Sequence, residues 1–451
     1  MYVNTLKYFY YVIIYTVIFG VLMRRFMEKI TNKSHTAILS IAICWMFYLF
    51  GCLSRVEPGV LVHDLIHDFS LNATQVGFIV SVMYWSYNGM QIPWGIILDK
   101  IGYKFVITAC CFICSLGVLI FGIASNDIQL MIGRFLVGLA SSAAFLSCGK
   151  VASELYGKNK YPLFMGIATC MGCLGSMLGS TASSYLAKWY GWRSATVGIA
   201  VFGIILGIIA FFGLKATKTE SNTSTTIEKQ QVKVLDGLKK LATNYNVWLI
   251  GFYGAMSYLP VSSIADLWGT SFMEKRFNIP TEHAAILPSL IYIGFGVGSV
   301  VSAIFAEKWS SYKKPVVLFT LGLILTMWLA IYSNSIGFLS CLILFFMASF
   351  FAGADTLTFS MCYGFVPKEF AGIASGFNNM ILMMGGLFFD PQLGKLLDTY
   401  RDGRVTEKGL PFYDLSMYRQ AFVWVIVAIC LSLVAVFFIK DSSPNEDNSN
   451  A

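Results

Sequence analysis

Charged residues are scarce in this chain of 451 residues: Asp, Glu, Lys and Arg together supply 12% of it, whereas apolar residues supply 57%. Soluble domains carry about 25% charged residues, so the composition excludes an ordinary soluble globular protein. The chain also lacks a G-x-x-x-x-G-K-S/T loop, which argues against a process driven directly by ATP. We find no convergent set of nucleophile, base and orienting group, and therefore expect no enzyme, no catalytic residue and no cofactor.

Basic residues outnumber acidic ones, 32 Lys and Arg against 24 Asp and Glu, but they are scattered among short polar segments and form no stripe. This pattern gives little support to a nucleic-acid partner. Cys111 and Cys114, like Cys170 and Cys173, have the spacing of redox or metal motifs. Each pair falls within an apolar run, where cysteine acts as a small hydrophobic residue, so we expect no metal site.

The chain is rich in long apolar runs. A membrane-spanning helix needs about 20 mostly apolar residues, because the bilayer offers no hydrogen-bond partners to the backbone. Twelve runs meet this requirement, so the sequence predicts an all-α membrane protein with twelve transmembrane helices. Their approximate limits are 37–62, 75–98, 104–124, 128–150, 161–187, 192–214, 247–272, 284–306, 315–333, 337–366, 371–397 and 419–439.

A polar stretch divides the predicted helices into two sets of six. We predict an N-terminal six-helix bundle over 37–214, a linker over 215–246, a C-terminal six-helix bundle over 247–440 and a tail over 441–451. Lys and Arg concentrate in the segments on the linker's side of the membrane. By the positive-inside rule, the linker and both main termini are expected in the cytoplasm.

The N-terminal segment, residues 1–36, is harder to interpret. Its apolar part, residues 8–23, is shorter than a span and is followed by two arginines. It could be a signal-type segment, a marginal thirteenth span, or sequence upstream of a true start at Met23 or Met27. No small-residue cleavage site is present, which argues against a signal segment. We favour the third interpretation and assign the segment no function.

Two short patterns recur at corresponding positions of the two halves. The sequence GIILDKIGYKF (95–105) follows the second predicted span, and AIFAEKWSSYKKP (303–315) follows the eighth. Likewise, residues 160–167 precede the fifth span and residues 367–376 precede the eleventh. Duplicated halves are typical of secondary transporters, whose substrate site lies near the membrane midplane between the repeats.

These features resemble the major facilitator superfamily. The family's signature loop between its second and third helices is similar to Gly95, Asp99, Lys100, Gly102 and Lys104 of this chain. The segment LMIGRFLVG (130–138) resembles the family's fourth-helix motif, and GWR (191–193) opens the sixth span as in many members. The resemblance implies two pseudo-symmetric six-helix bundles, the major facilitator fold, in a multi-pass protein of the cell inner membrane that works by alternating access.

Within the superfamily, YNGMQIPWGIILDKIG (87–102) and ADLWGTSFM (265–273) resemble a proteobacterial branch that is similar to the lysosomal dipeptide transporters. This resemblance implies a carrier of a dipeptide or amino acid, with proton symport as its candidate coupling. An organic anion or siderophore carrier and a nontransporting membrane receptor are the alternatives. The expected partners are the small-molecule substrate, the lipid bilayer and protons, and we expect a monomer.

The charged loop after the second predicted span is interpreted as a conformational latch. Gly102 permits a tight turn, Asp99 can accept hydrogen bonds or pair with a base, and Lys100 and Lys104 favour the cytoplasmic side. With Gly95, these residues would hold the two bundles together in one state and release them in the other. The alternative is a turn that only fixes topology.

Arginines within the predicted spans are candidates for function, because a charge at membrane depth is costly unless it is paired or faces water. Arg55 is predicted to bind a substrate carboxylate. Alternatively, it pairs with Glu57 or another buried acid. Arg134 resembles a family position linked to substrate binding or proton coupling, and its alternative is an ion pair with a carboxylate such as Glu57.

Polar side chains define further candidates for the substrate cavity. Tyr84, Asn88 and Gln91 recur at i, i+4 and i+7 of the second predicted span, which places them on one helix face. A purely interhelical hydrogen-bonding role is the alternative. In the second half the predicted cavity-lining residues are Tyr253, Ser257 and Asn378, although helix packing explains these nearly as well.

Buried acids are the candidates for proton coupling, because the cavity's opening and closing changes their solvation. Asp355, well inside the tenth predicted span, is the first candidate for binding a proton or a substrate ammonium group. Glu57 and Asp266 are the others, and Asp266 could instead lie in water at the cavity rim. Asp390, before Pro391, receives no assignment.

Overall fold

The computed structural model describes residues 35–156, 161–215, 237–365, 371–405 and 411–440. The N-terminal apolar segment, most of the predicted linker and the predicted tail lie outside the described residues. The predictions about these segments, and the domain limits that depend on them, stay predictions.

Helices make up almost all of the described chain. In chain order they are α1 (His35–Val56), α2 (Val62–Phe69), α3 (Ala73–Ile101), α4 (Tyr103–Gly122), α5 (Asp127–Tyr156), α6 (Tyr161–Met177), α7 (Ser183–Tyr190), α8 (Trp192–Gly213), α9 (Tyr245–Ser257), α10 (Gly269–Phe277), α11 (Thr281–Ala284), α12 (Ile286–Lys308), α13 (Lys313–Tyr332), α14 (Phe338–Ala352), α15 (Leu357–Tyr363), α16 (Ala371–Thr399) and α17 (Leu415–Phe438).

Ten helical segments of the described chain are long and apolar enough to cross a membrane. The prediction of an all-α membrane protein is therefore confirmed. Two further helices, α3 and α16, have 29 residues each, and at about 1.5 Å per residue they are also long enough to cross. Large apolar side chains such as Phe212, Leu339 and Phe438 are exposed around the bundle, as a surface in contact with lipid requires.

Four short 3₁₀ or π-helical segments interrupt or end the α-helices of the described chain, and each lies within a candidate membrane span. They are the 3₁₀ turn Glu57–Val60 after α1, the π-helical turn Leu178–Ala182 between α6 and α7, the π-helical segment Pro260–Trp268 between α9 and α10, and the 3₁₀ turn Gly353–Thr356 between α14 and α15. Such turns are common at functional sites. Three of the four contain a buried acid, namely Glu57, Asp266 and Asp355.

Helices α12 and α14 approach each other closely because two glycines lack side chains. A Cβ atom on Gly298 would lie 1.8 Å from the backbone oxygen of Phe350, and one on Gly294 would lie 2.4 Å from that of Phe346. A Cβ atom on Gly296 would meet only Cys173 Sγ, at 3.8 Å. Close packing of α12 on α14 therefore requires glycine at Gly294 and Gly298 but not at Gly296.

We expect Gly298→Ala to lower the stability of the purified protein by about 3 kcal/mol, because the new methyl group would have to displace backbone. Gly296→Ala is the matched control on the same helix, and its melting temperature should stay within about 1 °C of the parent. Thermal unfolding in detergent, followed by size-exclusion chromatography, measures both. Equal melting temperatures for the two variants would contradict the close approach at Gly298.

Candidate functional site

The bundle has two distinguishable ends. At one end, Leu39 of α1 packs on Gly213 at the end of α8, and the Lys440 N–H donates to Asn246 Oδ1 of α9 at 3.0 Å. We call this the linker end, because the predicted linker joins α8 to α9 there. The opposite end, where α1 ends and α3 begins, is called the far end.

A carboxylate from the second half caps a helix of the first half at the far end. Asp398 of α16 accepts hydrogen bonds from the Ala73 N–H (3.3 Å) and the Thr74 N–H (2.8 Å), and from the Thr74 hydroxyl. The Tyr413 hydroxyl donates to Asp398 and accepts from the Ala73 N–H. We call these four residues the Asp398 clamp. A carboxylate at the start of α3 satisfies otherwise unpaired N–H groups and is favoured by the helix dipole.

Four further contacts close the far end, two of them between backbones and two through side chains. A Cβ atom on Gly77 of α3 would lie 2.4 Å from the Asp390 backbone oxygen, and one on Gly59 would lie 2.1 Å from that of Asp266. The Thr181 hydroxyl donates to the Ala285 oxygen at 3.0 Å, and Lys188 pairs with Glu282.

Three glycines nearer the linker end have open space beside them. Cβ atoms on Gly95 of α3, Gly166 of α6 and Gly376 of α16 would have no heavy atom within 4 Å among the described residues. Helix α3 also contacts α16 of the opposite half, and α6 contacts α12. The far end is therefore the end at which contacts between the halves are described.

A buried ion pair joins the two halves deeper in the bundle than the Asp398 clamp, since Tyr84, which contacts it, lies about three turns into α3. Arg55 Nε of α1 lies 3.3 Å from Asp266 Oδ2, and Arg55 Nη2 donates to the Tyr292 hydroxyl at 3.0 Å. Asp266 also accepts from the Tyr84 hydroxyl at 2.9 Å and from the Tyr292 hydroxyl. Arg55 is 9% exposed and Asp266 is 1% exposed. We call these four residues the Arg55–Asp266 site.

The Arg55–Asp266 site unites residues that the sequence suggested for different tasks. Arg55 and Tyr84 were predicted for substrate binding and Asp266 for proton coupling. Asp266 is buried, so its alternative position in water at the cavity rim is wrong for this conformation. Arg55 pairs with an acid of the opposite half rather than with Glu57.

Arg134 is held by the end of α1. Pro58 has no N–H, so the Ser54 carbonyl lacks its α-helical donor. Arg134 Nη1 donates to that oxygen at 2.9 Å, and Nη2 donates to the Arg55 oxygen at 3.2 Å. Arg134 is 2% exposed, and among the described residues its Nε has no hydrogen-bond partner. Its guanidinium therefore positions the backbone of Arg55.

Glu57 has a partner within its own half. Its Oε1 accepts a hydrogen bond from the Thr196 hydroxyl of α8 at 2.6 Å. Among the described residues it makes no ion pair within 4.0 Å, so the suggested pairs of Glu57 with Arg55 or Arg134 are absent from this conformation. Glu57 is 2% exposed, and its hydrogen bond to Thr196 lies within its own half.

A second polar group lies inside the C-terminal half. Asn378 Nδ2 donates to the Thr358 hydroxyl at 2.9 Å, which donates to the Asp355 backbone oxygen at 2.6 Å. Asp355 is 1% exposed, and among the described residues its Oδ1 has no hydrogen-bond partner. The Tyr253 hydroxyl accepts from Thr320 at 3.3 Å.

These residues form a group separate from the Arg55–Asp266 site. Ser257, also predicted for the cavity, donates to the Gly254 backbone oxygen at 3.2 Å within its own helix. Tyr258 lies near Arg55 and Asp266 and also near Asp355.

The stripe on α3 is buried along its whole length. Tyr84, Asn88 and Gln91 are 1%, 7% and 4% exposed. Neither side-chain polar atom of Asn88 has a hydrogen-bond partner among the described residues. The alternative role of this stripe, hydrogen bonding between helices, is therefore not seen at Asn88. Tyr84, in contrast, donates a hydrogen bond to Asp266 of the opposite half.

The loop between α3 and α4 has the tight turn that the signature predicts. Gly102 has φ of +81°, a backbone conformation that glycine adopts without strain, and its N–H donates to the Leu98 oxygen at 3.1 Å. Lys104 Nζ lies 5.5 Å from the ring centre of Phe211. The Asp99 side chain lies outside what the structure describes, so the latch stays a prediction.

A charged cluster at the far end joins the short helix α2, which lies outside the spans, to the start of α8. Asp68 of α2 accepts from Trp192 Nε1 at 3.0 Å and lies 3.5 Å from Arg193 Nη2. Partial burial opposes ionisation of Asp68, but hydrogen bonds from His67 and Trp192 and the charge of Arg193 outweigh it and lower the pKa of this carboxyl group. The Arg193 guanidinium also donates to the Ala124 oxygen at 2.8 Å, which ties α8 to the end of α4.

Two residues that the sequence did not single out, and one that it named without an assignment, have defined positions between the halves. They are Tyr292 in the Arg55–Asp266 site, Asp398 in the clamp, and Asp390, which is fully buried on α16. The sequence did contain a signal for Asp390 and Asp398, because each is an acid inside or at the end of a predicted span. Nothing in the sequence distinguishes Tyr292 from other tyrosines.

Comparisons with known proteins agree on one family. The family model "Major Facilitator Superfamily" matches residues 41–389. A probable hexose phosphate transport protein of Chlamydia pneumoniae is 22% identical, over 78% of this chain and 83% of its own. A probable galactarate/D-glucarate transporter, GudP of Bacillus subtilis, is 24% identical, over 79% of this chain and 85% of its own.

Solved structures share the fold. The crystal structure of a bacterial homologue of the human lysosomal transporter Spinster, in an inward-facing and unoccupied conformation, superposes with a TM-score of 0.73. The two proteins are 15% identical, and the match covers 90% of this chain and 98% of the other. At this identity the likeness concerns the fold alone.

Proposed function

The chain belongs to the major facilitator superfamily of transporters, and we propose that it is a secondary active carrier of a small organic anion. The observation that carries this proposal is Arg55, a buried arginine held between the two halves by Asp266 and Tyr292. A planar guanidinium binds carboxylate or phosphate through two parallel hydrogen bonds. The named substrates of the two relatives, hexose phosphate and galactarate or D-glucarate, are anions of this chemistry.

Substrate and Asp266 would compete for Arg55. In the conformation described, Asp266 neutralises Arg55 and bridges the halves through Tyr84. A substrate carboxylate or phosphate entering from the linker end would replace Asp266 on the guanidinium. Asp266 would then be free to bind a proton, because an ionised carboxylate without a partner is costly in this buried position. Proton coupling through Asp266, with Glu57 and Asp355 as further candidates, is part of this proposal.

Alternating access requires the two bundles to move against each other around this site. We propose the bundles 37–214 and 247–440 as the moving bodies. The linker end is assigned to the cytoplasm, because Lys and Arg concentrate in the polar segments that are predicted on the linker's side of the membrane. The conformation with a closed far end would then face inward, and the loop carrying Asp99, Lys100 and Lys104 would act as the latch on the inner side of a bacterial inner membrane.

The sequence resemblance favours a dipeptide or amino acid, which carries an ammonium group as well as a carboxylate. Such a substrate needs a second charged residue in the site. Its carboxylate could bind Arg55, but its ammonium group needs an acid. Asp355, whose Oδ1 is unpartnered among the described residues, is the candidate. Neither of the two relatives described above is named for a peptide or amino acid.

Uptake into proteoliposomes tests the proposal. Purified full-length protein would be supplied with labelled glucose 6-phosphate, D-glucarate, an amino acid and a mixed dipeptide, each with and without an inward proton gradient. We expect at least one organic anion to accumulate roughly tenfold above protein-free vesicles, with the gradient increasing accumulation. Uptake of the dipeptide alone would identify a zwitterion carrier. Ligand-dependent thermal stabilisation without any uptake would instead point to a receptor.

A further inference from the structure

Asp390 of α16 is a buried acid to which the transport scheme gives no role. It is 0% exposed, and among the described residues neither of its carboxyl oxygens has a hydrogen-bond partner. Ser263 of the π-helical segment faces it, and the Ser263 hydroxyl likewise has no hydrogen-bond partner there. A buried polar group without a partner is rare in folded proteins and calls for a physical explanation.

The surroundings of Asp390 favour its neutral form in this conformation. An ionised carboxylate without a hydrogen bond or a counter-ion in contact would be strongly destabilised at this depth. The charged or titratable groups around it are Asp266 of the π-helical segment, Arg134 of α5 and Tyr84 of α3. Asp266 is already paired with Arg55, and Arg134 is bound to the backbone of α1. Asp266 is itself an acid, and among the described residues Arg134 makes no ion pair with Asp390 within 4.0 Å, so no cation in contact neutralises the Asp390 carboxylate.

The position of Asp390 couples its charge to closure of the far end. Its backbone oxygen lies 2.4 Å from the place where a Cβ atom on Gly77 would be, so α3 and α16 touch at this residue. Pro391 follows it inside α16 and removes the donor to the Leu387 carbonyl, which leaves a polar atom in the same turn. Separation of α3 from α16 would admit water to both groups.

We propose that Asp390 is a proton-binding site, separate from the Arg55–Asp266 site, whose protonation permits the far end to close. The proposal rests on the alternating-access transport described above. When the far end is open, water hydrates the carboxylate. On closure, the carboxylate takes one proton from hydronium, an O–H bond forms and water is released. On reopening, that O–H bond breaks and the proton returns to water.

The proposal predicts a pH dependence of definite sign. The closed far end binds one more proton than the open one, so acidification favours closure. Linkage of one proton changes the ratio of closed to open molecules by up to about tenfold per pH unit. Asp390→Asn is neutral at every pH and should hold the far end closed at every pH.

Pulsed electron paramagnetic resonance can measure this equilibrium without a substrate. Spin labels would be placed by Ile128→Cys and Leu339→Cys at the exposed far-end starts of α5 and α14, after replacement of the exposed Cys170 and Cys430 by serine. The full-length protein in liposomes should show a short distance in acidic buffer and a longer one in alkaline buffer. Asp390→Asn should show the short distance in both buffers.

Two variants make the result specific. Asp402→Asn removes an exposed far-end acid that pairs with Arg404 only two residues away, and should retain the pH response of the parent. Ser263→Ala preserves Asp390 but removes the neighbouring hydroxyl, which can rotate to donate a hydrogen bond once Asp390 is ionised. It should move the midpoint of the response to a more alkaline pH, and it tests the same contact if Asp390→Asn does not fold.

The outcomes separate this proposal from the proposed function. A parental pH response in Asp390→Asn overturns the assignment, even if organic anions are transported. A distance that changes when sodium replaces potassium at constant pH, and not with pH, overturns it in favour of a metal cation. A response that is lost only in Asp390→Asn supports it, even if no solute of the uptake panel is carried.

Discussion

Uptake of the organic anion should fall about 100-fold or more when Arg55 is replaced by glutamine. The expected size follows from two charge-assisted hydrogen bonds, each contributing about 1.5–3 kcal/mol to binding, since 1.4 kcal/mol corresponds to a tenfold change. Glutamine has a similar length but cannot carry the charge or present the planar fork. Initial uptake rates in proteoliposomes, normalised to the amount of folded protein, measure the effect.

The stability of this variant needs its own control, because Asp266 would be left buried without its cation. Removing one partner of a buried ion pair costs about 3–5 kcal/mol. In Arg55→Gln/Asp266→Asn both charges are gone, so most of this stability should return while uptake stays absent. Arg55→Lys retains the charge without the fork and should give intermediate uptake. Parental uptake by the double variant would exclude Arg55 as the anion-binding residue.

Helices were predictable from the sequence because the bilayer imposes their length and composition. The second predicted span, 75–98, corresponds to α3, Ala73–Ile101, and the eleventh, 371–397, corresponds to α16, Ala371–Thr399. An apolar run of this length has one stable backbone conformation in lipid. The interruptions were less predictable, since the π-helical segment Pro260–Trp268 depends on packing rather than on composition.

The partners of the charged residues could not be predicted, because pairing depends on which helix faces meet. Glu57 is the nearest acid to Arg55 in the sequence, but the chain changes to a 3₁₀ turn at Glu57 and directs it to Thr196 of α8. Arg55 instead reaches Asp266 of the other half. The family motif identified Arg134 as a buried cation, while its binding to the carbonyl freed by Pro58 follows only from the contact of α1 with α5.

Opening of the far end should become at least about tenfold more favourable in Asp398→Ala. This substitution removes the carboxylate that accepts three hydrogen bonds from Ala73 and Thr74 and caps α3. Hydrogen bonds to a charged group contribute about 1.5–3 kcal/mol each, so loss of one would be enough for the tenfold change. Because the clamp joins the halves only while the far end is closed, its loss destabilises that conformation specifically.

Thiol labelling from the far-end side measures the opening. Ser180 is 0% exposed and lies 3.2 Å from Ser289 of the opposite half, so Ser180→Cys, with Cys170 and Cys430 replaced by serine, reports far-end separation. A membrane-impermeant maleimide should label it faster in Asp398→Ala. Asp402→Asn alters an exposed far-end carboxylate that pairs with Arg404 nearby, and should label at the parental rate. Equal labelling in all three proteins would mean that the Asp398 clamp does not hold the halves together, and that closure depends on the backbone contacts at Gly59 and Gly77 instead.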